Sequence, residues 1–237
     1  MGIILANQKV YINGYDRSGV VNQISLNMNN DVKDSTVLGD LQRAYTPGLN
    51  DIEFSSEGFY DVDVDGILWD SVGVDGKVIS FYESGAAANA VGYAMPASIL
   101  EYAPGFKVAE LKAFRISAKA SGRFVKVTTP DGIVKKTSTG NGTARELGAV
   151  SATQKVFSFV HVIAKSGTSP TLVVTVASDS LVGFTSPITQ ITHTQFTDIG
   201  SEVKSADGAI TDTWWRVTYT LGGSSPSFDV IVGIGIV

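Results

Sequence analysis

Short apolar runs of period two, broken by Gly, Asn, Asp and Pro, dominate the chain from end to end. β-Branched and aromatic residues fill these runs, as a pleated, half-buried surface requires. The pattern predicts strands at Val10–Asn13, Val21–Met28, Ile52–Tyr60, Lys77–Tyr82, Val91–Tyr102 and Phe106–Ala118, the last two joined by a turn at Ala103-Pro104-Gly105. It continues with Phe124–Thr129, Val156–Ala164, Thr171–Ser178, Ile188–Thr194, Thr213–Leu221 and Ser227–Val237. Alternation assigns faces. Phe157, Phe159, His161 and Ile163 point one way, and Val156, Ser158, Val160 and Val162 the other. In Asp51–Glu57 the same rule puts carboxylates on one face. Helix is scarce. Asp65–Val72 offers a short apolar side through Ile67, Leu68 and Val72, and Gly85–Ala90 reads equally as helix or loop. The expected fold is all-β and mainly antiparallel, a sandwich or barrel with one short helix and a second β-rich half.

A polar stretch, Pro130–Leu147, is too small and hydrophilic to build a core and reads as a linker or long hairpin. It suggests a β domain over 1–130, a connection over 131–147 and a second β domain over 148–237. Gly167-Thr168-Ser169-Pro170 and Gly223-Ser224-Ser225-Pro226 are similar, and each precedes an alternating run. Both read as turns that launch a strand, since Pro is tolerated at a strand start. A fainter match sets Asn22-Gln23-Ile24-Ser25 against Thr189-Gln190-Ile191-Thr192. Ordinary hairpin likeness and an old duplication both account for these matches.

Composition narrows the function. The net charge of −5 argues against a groove that grips phosphates, and 17% charged residues against 43% hydrophobic suits a surface buried in an assembly. With no cysteine, disulfides, thiol nucleophiles and Cys-based zinc sites are excluded. Two histidines, His161 and His193, are too few for a His-rich metal site. No run of about 20 apolar residues suits a bilayer span. Met1–Ala6 lacks the basic start of a signal peptide, so a soluble, unsecreted protein is expected.

Candidate chemistry is thin. Asp61-Val62-Asp63-Val64-Asp65-Gly66 opens like a calcium loop, but the twelfth position is Val72 instead of a bidentate Glu, so a solvated turn is the better reading. Gly122-Arg123-Phe124-Val125-Lys126 has too few aromatics for a single-strand nucleic-acid groove. No Gly-x-Ser-x-Gly elbow marks a nucleophile, and no enzyme activity or cofactor is expected. Trp214-Trp215 puts indoles on opposite faces of a strand, one for the core and the other for a neighbour or, alternatively, a sugar. The apolar, Gly-rich Val230–Val237 reads as a buried last strand or one that pairs across subunits.

The most informative stretch runs from Val10 to Asp61. A short strand ends in Asn13-Gly14-Tyr15-Asp16, and a second strand follows. A connection of the form Thr36-x-x-Gly39-Asp40-x-x-Arg43-x-x-x-Pro47-Gly48-Leu49 leads to a strand ending at Gly58-Phe59-Tyr60-Asp61. This order resembles the major tail tube proteins of long, non-contractile bacteriophage tails, over roughly Val10 to Thr129. The resemblance implies two packed sheets and a small helix, in subunits that close a shared inner barrel and stack as rings around passing DNA. It implies self-assembly in rings of six, or of three if the second half is a duplicated tube domain instead of a decoration domain. Implied partners are tail terminator and tail tip proteins, the tape measure protein and phage DNA held without specific contacts, with no membrane. The implied location is the virion, after assembly in the host cytoplasm. The connection across Asp31–Asn50, mobile in a free subunit, would then carry the contacts between rings or subunits, through Asp34, Thr36, Leu38, Gly39, Asp40, Arg43, Tyr45, Pro47, Gly48 and Leu49. A capsid decoration protein and a carbohydrate-binding β-sandwich are the alternatives.

Overall fold

The structure, a computed structural model, describes residues 7–39, 41–105 and 109–237, with the side chains of 63 and 64 left aside. The fold is all-β and nearly all antiparallel, 62% strand and 3% helix. The strands are β1 (Lys9–Ile12), β2 (Tyr15–Asp16), β3 (Val21–Asp34), β4 (Tyr45–Phe59), β5 (Lys77–Tyr82), β6 (Val91–Pro104), β7 (Ala113–Ala120) and β8 (Val125–Thr128). They continue as β9 (Ile133–Lys136), β10 (Gly140–Asn141), β11 (Arg145–Glu146), β12 (Lys155–Asp179), β13 (Ile188–Thr192), β14 (Gly200–Asp207) and β15 (Trp214–Ile236), and α1 spans Val62–Trp69. The residues cluster into two compact units that interleave along the chain: one of 1–19, 76–96 and 123–237, the other of 20–75 and 97–122. The expected division near 131–147 is not where these units part. That segment supplies β9, β10 and β11, all paired with β15.

In the larger unit, β12 and β15 pair antiparallel along almost their whole lengths, 25 and 23 residues. Four predicted strands are therefore two, each running through its Gly-x-Ser-Pro motif. The motifs face each other, with Thr168 opposite Ser224 and the ladder shifted around them. Gly167 and Ser169 have φ of 113° and 49°, and Gly223 and Ser225 have 97° and 48°. The packing is reciprocal. A Cβ on Gly167 would lie 2.6 Å from the Ser225 carbonyl oxygen, and one on Gly223 would lie 2.5 Å from that of Ser169. Proline fits because a bulge leaves a residue unpaired and needs no N–H there.

At this double bulge the ribbon folds over itself, as strands do when they switch between packed sheets. His193 shows the fold-over: its backbone N–H bonds Val174, while its ring reaches Ser158, sixteen positions earlier in the same strand. Between the layers lie Val156, Val160, Val162, Val174, Val176, Val217, Tyr219, Val230, Val232 and Ile234. The other side of the first half of β12 faces a second core of Tyr11, Val78, Tyr82, Val125, Val127 and Ile231 around Phe159. Residues 158–162 are therefore buried on both faces, which explains why neither face of the predicted strand was polar.

In the smaller unit, β3, β4, β7 and the second half of β6 form one sheet. Ile52, Phe54, Ile116, Ala118 and Ile99 occupy its buried face, and Leu68 of α1 is fully buried in the same unit. The helix begins at Val62 instead of Asp65. The Asp61 carbonyl accepts the Asp65 N–H, and Asp65 Oδ1 accepts the Tyr102 hydroxyl at 2.6 Å. The calcium-loop resemblance therefore lies on the first turn of a helix. Gly85–Ala90 is not helical. The predicted strand Phe106–Ala118 is observed as Ala113–Ala120, its first three predicted residues lying outside the described ones. β14 had no predicted counterpart.

Alanine at Gly167 or Gly223 puts a side chain against backbone at positive φ. Each substitution should lower the unfolding free energy by about 2 kcal/mol. The double variant should cost less than the sum, because the first change already opens the shared corner. Urea denaturation of the single and double variants measures both effects.

Candidate functional site

The Asp31–Asn50 segment, expected as a mobile loop, is most of a hairpin. β3 runs on to Asp34 and β4 starts at Tyr45, with Asp34 opposite Tyr45, Lys33 opposite Thr46 and Asn30 opposite Asn50. The polar Asn/Asp run hid this strand. A ribbon wet on both faces needs no apolar alternation, so its sequence looks like loop.

The predicted residues have distinct places on the hairpin. Asp34 and Thr36 build its neck. Asp34 Oδ1 accepts the Thr36 N–H at 3.0 Å and the Thr36 hydroxyl at 2.5 Å, and Thr36 Oγ1 accepts the Ala44 N–H at 3.0 Å. These bonds hold the Asp34 carboxyl below its usual range. Ser35 N–H closes the turn on the Ala44 carbonyl. Gly48 sits at the bulge beside Asp31, where a Cβ would lie 2.9 Å from the Asp31 carbonyl oxygen, and Pro47 lies opposite Val32. Leu38, Gly39, Arg43, Tyr45 and Leu49 are exposed, and Asp40 lies outside the described residues. Leu38 and Leu41 are fully solvent-exposed, and Leu49 is 85% exposed. Met28, Val32, Val37 and Tyr45 are also largely in water.

Two further features define this surface. Among the described residues β3 pairs with β4 alone, so its other edge has no strand partner there along fourteen residues. The sheet face opposite the core is polar. Asp51, Glu53 and Glu57 of β4 lie beside Lys119 and Arg115 of β7, with Lys119 Nζ 2.7 Å from Asp51 Oδ2. This is the carboxylate row expected from the alternation of Asp51–Glu57.

Trp215 is fully buried in the larger unit, and its Nε1–H donates to the Gly148 carbonyl at 2.8 Å. Trp214 is half-buried, opposite Glu146 on one side and Asp179 on the other.

Both histidines tie buried layers together, a role that spacing alone did not reveal. His161 Nδ1 accepts the Gly14 N–H at 3.1 Å, which leaves Nε2–H to donate to Ser80 Oγ at 2.9 Å. Gly14 is required there, because a Cβ would come within 2.6 Å of the Gly200 backbone. His193 Nδ1 lies 2.8 Å from Glu202 Oε2, and Nε2 lies 2.9 Å from Ser158 Oγ. The Ser-His-Glu order has the polarity of a charge relay. Ser158, however, is sealed in the core at 0% exposure, where no substrate carbonyl can reach its oxygen. Among the described residues, no helix is long and apolar enough to cross a membrane, and no group of three or more acidic or His side chains could hold a metal.

Burial pushes the His161 imidazole down to about 3. It also lowers His193, against the pull of Glu202. A free histidine titrates near 6.5, so below that pH the unfolded chain takes up protons that the folded chain refuses. Stability should therefore fall as pH drops from about 6 to about 4, by about 1.4 kcal/mol per pH unit for each excluded proton. His161→Gln should have a shallower slope by that amount, measured by urea denaturation across the range.

No protein-family profile matches the chain, and no curated protein does. Among solved structures, it is similar to a chain of the sheath–tube complex of an extracellular contractile injection system in its extended state. That match has 14% identity and a TM-score of 0.41, over 53% of this chain and 90% of the other. It is similar to a chain of the virion of a native gene transfer agent particle, at 15% identity and a TM-score of 0.38, over 49% and 94%. It is also similar to the Dit protein of phage SPP1, a hub of the adsorption apparatus, at 8% identity and a TM-score of 0.37, over 98% and 100%.

Proposed function

We propose that this chain is a non-enzymatic structural subunit of a phage tail tube, which polymerises through its smaller unit into stacked rings around DNA. The β3–β4 hairpin carries the reading. Leu38, Leu41 and Leu49 stand in water on a two-stranded ribbon beside an open strand edge. A lone ribbon of this kind is marginal in water, and an open edge is a template for another chain. Closing sheets from several copies into one barrel removes every edge at once. The polar face supports a lumen role. Its carboxylates and paired cations give phosphates no cluster of free positive charge, so DNA would slide along it.

Six copies per ring suit this arrangement better than three. Among the described residues the larger unit has no second hairpin of the same kind, since β12 and β15 are engaged along both edges by β13, β14 and β8 to β11. It would serve as the decoration body. In this reading the neighbours are further copies, the tail terminator and tip proteins at the ends, and the tape measure protein and then DNA inside. The site of action is the virion, after assembly in the host cytoplasm.

Electron microscopy of the purified protein tests the reading, with long hollow tubes as the expected result. Discrete trimers that decorate capsids, or glycan binding by a monomer that never polymerises, would replace it with one of the alternatives. Substituting an Asn-Gly turn for residues 35–44 should abolish tubes while leaving a folded monomer with an unchanged circular dichroism spectrum. Normal tubes from that variant would remove the hairpin from the assembly surface.

A further inference from the structure

The helix α1 is apolar on more sides than it buries. Leu68 is fully buried and Ile67 half-buried, yet Val62 is 73% exposed and Trp69 67%. Val62, Gly66 and Trp69 are spaced four and then three residues apart, so they share one stripe on the outer side. A Cβ on Gly66 would meet nothing within 4 Å, which leaves an open shelf beside the indole. Val72 and Val74 extend the patch at 40% and 39% exposure.

The support is rigid. Ser71 Oγ donates to the Ile67 carbonyl at 2.6 Å, the Gly73 N–H donates to the Ile99 carbonyl, and Tyr102 holds Asp65. A fixed, exposed Trp beside a shelf is the usual form of an interface hot spot. Residues 61–75 carry five Asp and no Lys or Arg. The hairpin tip of the same unit presents Leu38 and Leu41, fully exposed, and one exposed cation, Arg43.

We propose that the hairpin tip of one copy docks on the Val62–Gly66–Trp69 stripe of α1 in a second copy, with Leu38 and Leu41 on the shelf and Arg43 toward the aspartates. The inference rests on the assembly reading above and names the receptor for its hairpin. A protrusion and a receptor on different parts of one unit make a head-to-tail contact, which repeats from copy to copy instead of closing as a two-fold dimer. The match of apolar tip to apolar shelf, and of Arg43, offset in part by Asp40, to an acidic rim, favours a second copy over an unrelated partner.

The chain has no cysteine, so engineered pairs report cleanly. The double variant Leu38→Cys with Gly66→Cys, oxidised after assembly, should give a ladder of covalent multimers on a non-reducing gel. Each single variant should stop at dimers or monomers. Trp69→Ser should raise the concentration needed for assembly at least tenfold without altering the monomer's circular dichroism. Arg43→Glu should do the same, and Asp70→Lys should restore assembly to Arg43→Glu. Tubes that form without a ladder and tolerate Trp69→Ser would overturn this contact and leave the assembly reading standing. Wild-type protein that stays monomeric at every concentration would overturn both.

Discussion

On the proposed reading, an open strand edge and leucines exposed on one ribbon govern the behaviour of this chain. Among the described residues β3 has no partner on one edge along its fourteen residues, and beyond the sheet the hairpin holds leucines in water. Burying a leucine is worth about 2 kcal/mol, and a sheet edge left open invites pairing with whatever edge is nearest. The hairpin neck is nevertheless built with care, through the Asp34–Thr36 and Thr36–Ala44 bonds. On the proposed reading, a braced element with exposed leucines would act as a pre-organised arm, ordered before contact so that less freedom is lost on contact.

The larger unit buries most of its polar groups against partners, with the Tyr11 hydroxyl, Arg216 Nε and Asp229 Oδ1 as exceptions. Its middle layer is buried on both sides, so any polar group there needs a partner in place. His161 joins β12 to Ser80 and Gly14, His193 joins the end of β13 to Ser158 and Glu202, and burial lowers the pKa of both rings. The Ser158–His193–Glu202 geometry shows why a chemical constellation must be judged by access as well as by distance. The bond lengths suit a relay, but the hydroxyl has no route to solvent.

Alternation made the strand cores legible in the sequence. Lys77–Tyr82 lies where it was expected, the Asp51–Glu57 carboxylates share a face, and the scarcity of helix follows from the lack of any long three-to-four-residue apolar repeat. The Thr36–Leu49 stretch reads in the sequence as a loop, and its hairpin shape was not legible there. Val21–Met28 stopped short because Asn29–Asp34 has the composition of a turn, and backbone pairing alone extends the strand through it.

The sequence by itself determined the all-β class and the lack of thiol chemistry. Those follow from residue type and period, which are local. Tertiary structure decided that two Gly-x-Ser-Pro motifs are one corner and that residues 131–147 edge β15. It also decided that the two histidines are structural ties and that Trp69 is left in water. Each of these depends on groups far apart in the chain meeting or failing to meet, and a periodicity read along one strand holds no information about what lies across from it.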